Sequence, residues 1–565
     1  MEKQVFNKRS FCYNILSIII LLTLVIIFYK GLDSIYGPLR ELDQPINLRI
    51  SSLPGYLLAT GIRFFLAMLI SIIIAIIYAV IAAKNKRLRL LLIPLLDIFQ
   101  SIPVLGYLSF TVTVFTNLAP NNILGIELAV IFTIFTAQVW NIIFSVYQSL
   151  ITIPQDLYEV AKIYKLNKWR VFWQIELPFA IPGLVSNAIL SMGSSWFFIV
   201  VSEVISVGTH SYILPGMGAY IALALSSLDF NAILYAIIAI IILILFFNEL
   251  FFKPLTIWAG KFRYEFNMSS NSKATSWFVD CISNSNISKY LSYSFAQFFN
   301  FIIALTFPNF IRKNSIIIFR IVETIVWGLI LWGFTLLYLK LKILCGHVNF
   351  ADILNVVKLT SITGIRIISL LFLISFILIP LGVFIGMRPK LAIRTQGYIQ
   401  FLTSIPANLY YPIFVIGITH FHLNLNSWLP LMLVVGSGWY ILYNVIAGTQ
   451  NIPTELTESC NILKLTTLVK FFKVTLPAIA PFYVTGLIIA AGASWNASIV
   501  AEIINWGDKT LSIEGIGSFI AINTIGGNFP QITLALISMG CFVILINHLL
   551  WKPLFKYTST KFRLE

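Results

Sequence analysis

In this chain of 565 residues 58% are hydrophobic and only 11% are charged, against roughly 25% charged in soluble domains. With a mean hydropathy of +0.90, this excludes a soluble globular enzyme and makes the lipid bilayer the expected surrounding. The net charge of +16 is not read as a nucleic-acid footprint, because membrane chains retain Lys and Arg on the loops of one side.

Apolar stretches close to the 20 residues that cross roughly 30 Å of hydrocarbon recur along the chain. The first half holds six predicted spans, at 13–30, 58–83, 92–116, 123–146, 181–206 and 231–252. The second half holds six more, at 316–340, 362–386, 397–420, 428–450, 479–505 and 531–551. The first span follows Lys3, Lys8 and Arg9, but no small-residue cleavage site comes after Tyr29-Lys30, so it reads as an uncleaved anchor. Short basic loops orient the rest. Lys84, Lys86, Arg87 and Arg89 lie between spans two and three, and Arg388, Lys390 and Arg394 lie at the equivalent place. Placing both clusters inside predicts a multi-pass protein of the cytoplasmic membrane with both termini in the cytoplasm. An even number of spans per half makes the halves parallel repeats. The expected division is a first half at 1–260, a linker at 261–315 and a second half at 316–565. The linker is Ser/Asn-rich at 269–272 and 283–286, and its apolar piece 291–311 reads as an interfacial helix interrupted at Pro308.

The duplication is visible residue by residue. Thr60-Gly61-Ile62-Arg63 returns as Thr363-Gly364-Ile365-Arg366, and Ser101-Ile102-Pro103 as Ser404-Ile405-Pro406. Trp140 matches Trp439, Ser195-Trp196 matches Ser494-Trp495, and Glu203 matches Glu502. The ends agree too, Lys253-Pro254-Leu255 with Lys552-Pro553-Leu554.

Two polar segments between spans four and five repeat in register. The first runs from Glu159 through Ala161, Lys165 and Leu166 to Leu177-Pro178. The second runs from Glu458 through Cys460, Lys464 and Leu465 to Leu476-Pro477, and each proline lies 19 residues after the glutamate. Pro154 and Pro453 suit a first helical turn, where a missing N–H costs nothing, and Asp156 and Glu455 place negative charge at the positive helix end. Pro178 and Pro477 are expected to end the motif and redirect the chain. Such a short helix, joined rigidly to a span, can transmit a partner's movement.

This paired pattern resembles the EAA loop of ABC-importer permeases, the helix that fits a groove on the ATPase subunit. Leu95-Leu96-Asp97-Ile98-Phe99-Gln100-Ser101-Ile102-Pro103 and Ser195-Trp196 with Ser202-Glu203 are similar to permeases for nitrate, taurine, alkanesulfonates and bicarbonate. The resemblance implies an all-α type I importer fold of about 12 transmembrane helices in the inner membrane of a bacterium. It also implies two ATPase subunits that carry the ATP, an extracytoplasmic substrate-binding protein, and a small anion as substrate. The family pattern departs here at its glycine, replaced by Lys165 and Lys464, which puts the local turn geometry in question. No Walker A pattern occurs, so no nucleotide cofactor is expected on this chain.

Candidates for the pathway are Ser194, Ser195, Trp196 and Glu203, with Ser494, Trp495, Asn496 and Glu502. Hydroxyl, amide and indole donors suit an anion. The two carboxylates suit it poorly and read as structural. Arg63 and Arg366, at the outer start of span two, read as snorkelling to the headgroups. His420 and His422 lack further ligands at metal spacing, so no metal is expected. The rival reading is an ion-gradient-driven secondary transporter, which predicts paired acidic residues or broken helices near mid-membrane in both halves.

Overall fold

The structure is a computed structural model that describes residues 46–262 and 349–561, except 102, 121, 208–209 and 507–508, together with scattered positions between 293 and 335. The predicted spans at 13–30 and 316–340 and the linker therefore lie outside, or almost wholly outside, the described residues.

In the first half α1 (Leu53–Lys84) and α2 (Lys86–Ser101) are followed by α3 (Leu108–Leu118), α4 (Ile123–Ile151) and the short α5 (Gln155–Ile163). Then come α6 (Lys168–Ser202), the hairpin β1 (Val204–Val207) and β2 (His210–Ile213), α7 (Met217–Ser226), and α8 (Phe230–Phe262). The second half repeats this order as α9 (Phe350–Gly386), α10 (Pro389–Ser404), α11 (Tyr411–His420), α12 (Leu425–Val435), α13 (Gly438–Gln450) and α14 (Thr454–Ile462). It closes with α15 (Thr467–Ala501), β3 (Ile503–Trp506), β4 (Lys509–Ser512), α16 (Ile516–Ile525) and α17 (Phe529–Lys561). Seven helices among the described residues are long and apolar enough to cross a membrane, or eight if α12 and α13 form one bent span. The hairpins are antiparallel, with Val204 opposite Ile213 and Ile503 opposite Ser512.

Three expectations change. The third span of each half, predicted at 92–116 and 397–420, is broken, because a proline bars its predecessor from the α region. Pro103 and Pro406 each precede a short 3₁₀ turn that restarts the chain. The span at 428–450 bends by 45° between α12 and α13, where Gly436-Ser437-Gly438 gives the helix little support. The fifth spans, predicted to 206 and 505, end at Ser202 and Ala501, and the hairpins begin there.

Pro178 and Pro477 do not redirect the chain. A π turn absorbs each ring: Leu177 N–H reaches back five residues to Phe172 O, and Leu476 N–H to Phe471 O, so the helix continues through. The same device precedes Pro254 and Pro553. A wider turn removes the clash between a proline ring and the carbonyl four residues before it. As a result α6 runs unbroken for about 52 Å, from the short helix at one end of the molecule to the hairpin at the other.

The halves meet along a shared core. The hairpin of each packs beside the short apolar helix of the other, α7 with β3 and α16 with β1. Phe110 meets Phe529 at 5.4 Å between ring centroids.

Candidate functional site: clamps, cavity and docking helices

At the hairpin end α1 places Thr60 and Arg63 on one face, and the end of α6 brings Glu203 against them. Arg63 does not snorkel. Its side chain is 4% exposed, with Glu127 at 2% and Glu203 at 0%, because both carboxylates neutralise it inside the bundle. Arg63 Nε and Nη2 donate to the two oxygens of Glu127 at 2.7 and 2.6 Å, and Nη1 donates to Glu203 Oε1 at 2.7 Å. Thr60 Oγ1 donates to the same Glu203 oxygen at 2.7 Å, while Gly218 N–H donates to Oε2 at 2.6 Å. One ionic cluster thus ties α1, α4, α6 and the start of α7 together.

The second half repeats the clamp incompletely. Glu502 accepts from Thr363 Oγ1 at 2.7 Å, from Arg366 Nη1 at 3.1 Å and from Gly517 N–H at 2.7 Å. Glu127 has no carboxylate counterpart there, and Arg366 is 19% exposed. Sequence comparison missed Glu127 because it occurs in one copy only. It also passed over Gly216-Met217-Gly218 and Gly515-Ile516-Gly517, which were legible as a repeat. A Cβ at Gly216 or Gly515 would overlap the clamp carboxylate, and one at Gly218 or Gly517 would overlap the Val200 or Ser498 carbonyl.

Between the halves lies a cavity of about 430 Å³. Ser194 and Asn496 line it; Ser195, Trp196, Ser494, Trp495, Glu203 and Glu502 do not. Trp196 is fully buried, stacked on Phe64 at 4.4 Å and edge-on to Phe247 at 5.6 Å. Trp495 is edge-on to Phe542. Both indoles are packing residues, turned from the cavity by their place on the helix. Ser195 Oγ donates to its own helix at Ser191 O, and Ser494 shares a 2.9 Å bond with Ser437. Asn496 Oδ1 accepts from Val104 N–H at 2.7 Å, a bond between the halves made possible by the break at Pro103.

At the opposite end α5 and α14 expose one face each. Glu159, Val160, Ile163 and Tyr164 are outward, as are Glu458, Ile462 and Leu463, whereas Ala161 and Cys460 face inward. The glutamates fall in the second turn, and Pro154 sits at the N-cap rather than inside the first turn. Lys165 and Lys464 take φ of 51° and 48°, the left-handed conformation that glycine favours. The turn is a Schellman motif: Leu166 N–H bonds Ala161 O and Lys165 N–H bonds Lys162 O, with Leu465 N–H to Cys460 O in the second copy. The lysines therefore keep the geometry that their identity put in question. Lys84 Nζ pairs with Glu176 at 2.7 Å, and Tyr158 Oη donates to Glu176 at 3.4 Å, which ties α5 to α1 and α6. Burial, then the Glu176 carboxylate, push the Tyr158 hydroxyl up to about 12. Thr475 and Met387 replace this ion pair in the second half.

Two like bundles in parallel, a cavity on their shared axis and a matched pair of exposed helices at one end define a duplicated membrane permease. The chain belongs to the family of binding-protein-dependent transport system inner membrane components, which it matches twice, over residues 67–252 and 378–550. It is 32% identical over 171 residues to the nitrate import permease protein NrtB of Leptolyngbya laminosa, covering 30% of this chain and 58% of that one. It is 31% identical over 169 residues to the bicarbonate transport system permease protein CmpB of Synechococcus elongatus, again 30% and 58%. The chain thus spans just over half the length of these relatives.

Proposed function

We propose that this chain is the membrane permease of an ATP-driven importer for a small anion, driven by two separate ATPase subunits and supplied by an extracytoplasmic binding protein. The observation that carries the reading is the pair of helices α5 and α14, each exposing a glutamate and an apolar patch at the same end. Glu159 and Glu458 serve as the charged docking contacts, with Lys165 and Lys464 closing the turn behind them. Leu177-Pro178 and Leu476-Pro477, held in continuous helices, transmit the movement. That end faces the cytoplasm, which the basic residues Lys84 and Lys86 beside it support, and both termini lie on the same side. Ser194 and Asn496 face the substrate path. Arg63 with Glu203, and Arg366 with Glu502, fasten each hairpin to its bundle. No cofactor is bound by this chain. The linker 261–315 joins the permease halves 1–260 and 316–565.

The breaks at Pro103 and Pro406 are a feature that the ion-gradient reading requires. No carboxylate lines the cavity among the described residues, and family membership favours ATP coupling. Reconstitution into proteoliposomes with the ATPase subunits separates the two readings. The importer predicts nitrate or bicarbonate uptake that needs ATP and survives ionophores. Uptake that continues without ATP and collapses with the ion gradient would support the rival.

A further inference from the structure

The third and fourth spans of the two halves match in sequence but not in build. In the first half α4 (Ile123–Ile151) runs without interruption past Ala137-Gln138-Val139. In the second half the same place reads Gly436-Ser437-Gly438, and the helix bends there by 45°. The cause is local. Glycine is the poorest helix former after proline, and Ser437 Oγ turns to Val434 O at 3.3 Å and to Ser494 Oγ at 2.9 Å, a bonding habit that bends helices. α12 is itself irregular, passing through a 3₁₀ turn at Leu429–Leu431.

α11 and α12 together therefore have a break at each end, the 3₁₀ turn Ala407–Leu409 before them and the two glycines after them. The breaks lie side by side, because a Cβ at Gly436 would overlap the Ala407 side chain. Both border the cavity between the halves, as does Leu433 of α12. From Ala407 to Ser437 the chain holds no Lys, Arg, Asp or Glu, so no such ion pair fastens this segment. Its counterpart α4 is pinned through Glu127 to Arg63 at 2.6 Å.

We propose, building on the importer reading, that α11 and α12 are a hinged flap. It swings about Ala407 and Gly436 to open the cavity toward the hairpin end, while the counterparts α3 and α4 stay in place. Two adjacent breaks define one axis, and a helix pair packed on a bundle moves between discrete positions instead of deforming continuously. Access from the hairpin side is then controlled by the second half alone, although the sequence repeat runs through both.

The test is the distance between spin labels in the full chain in nanodiscs, with its native cysteines replaced by serine. One pair joins Phe421, at the flap tip, to Ile525. The matched pair in the first half joins Leu118 to Ser226, and all four positions are exposed. The flap pair should give two peaks separated by at least about 5 Å, one helical turn, and the first-half pair a single narrow peak. Each pair lies within one half, so movement of the halves against each other changes neither. Gly438→Ala adds a Cβ that meets only the flexible ends of Ile374 and Leu378, at 3.3 Å. It should shift the ratio of the two peaks about fivefold toward the straighter helix without lowering the unfolding temperature. A single narrow peak for the flap pair, equal breadth in the two pairs, or a ratio unmoved by Gly438→Ala overturns the flap. The measurement needs no ATPase, so its failure is distinct from failure of the importer reading, which the ATP dependence of uptake decides.

Discussion

Replacing Arg63 by Met should damage the protein far more than replacing Arg366 by Met, although the two residues occupy the same place in the repeat. Among the described residues Arg63 is the sole counter-charge to two buried carboxylates, and it donates through Nε, Nη1 and Nη2 at 2.6–2.7 Å. Removing it strands Glu127 and leaves Glu203 without a counter-charge, held only by Thr60 and the Gly218 amide, a loss of about 3–5 kcal/mol for a broken buried pair. Arg366 makes one bond of 3.1 Å to Glu502 and one to the Glu514 carbonyl, and its side chain reaches solvent. Glu502 keeps Thr363 and the amides of Gly517 and Ser518, so its loss should be about 1.5 kcal/mol, the lower end for a bond to a charged group. The difference corresponds to more than tenfold in the folded-to-unfolded ratio. It can be read as the thermal midpoint and half-life of the monodisperse chain in nanodiscs, since membrane chains of this size unfold irreversibly. Arg63→Met combined with Glu127→Met should recover much of the loss, because one of the uncompensated charges goes with it. Equal damage from both single variants, or the reverse order, would refute the clamp argument.

The indoles give a second expectation: Trp196→Ala and Trp495→Ala should lower stability by about 3–5 kcal/mol each through the holes they leave, with the substrate-concentration dependence of ATPase activity unaltered. A shifted dependence at full stability would return them to the pathway. Lys165→Gly and Lys464→Gly should relieve about 1 kcal/mol of left-handed strain each, seen as slower amide exchange at Leu166 and Leu465. Faster exchange would mean that the lysines do something other than tolerate the turn. Glu176→Gln should loosen α5 by removing the charge opposite Lys84, lowering coupled transport while Thr475→Ala in the second half changes little. Equal effects at the two sites would show that the ion pair is idle.

The repeat made much of the architecture legible. Matched Thr-Gly-Ile-Arg, Ser-Ile-Pro, Ser-Trp and Leu-Pro pairs gave two equivalent bundles, each with a short exposed helix before its fifth span. Hydropathy alone misread the third spans, because it sums apolarity through pairs such as Ile405-Pro406 while backbone sterics interrupt the helix there. It also ran the fifth spans into Val204 and Ile503, since β-branched residues extend an apolar helix and begin a strand equally well. The misread side chains share one cause. Spacing fixes which helix face a residue occupies, but not which neighbour covers that face. Arg63 looked exposed until Glu127, from a different helix and a single copy, supplied its partner. Trp196 looked like a cavity donor until Phe64 and Phe247 were found against its ring. Asn141 had the opposite history: as part of an apolar span, it carried no signal of a cavity that needs both halves to form.

The central claim, that α5 and α14 are the two points at which ATPase subunits drive this permease, is tested most directly by site-specific photo-crosslinking. A photoreactive residue placed at Glu159 or at Glu458, in the full chain within native membranes, should give an adduct with an ATPase subunit from either position. A chain carrying both should give an adduct with two. Labels at Ile213 or Ser512, exposed on the hairpins at the other end, should give none. Absence of an ATPase adduct from both Glu159 and Glu458, or reaction of cysteines placed there with a membrane-impermeant reagent added outside intact cells, would contradict the account.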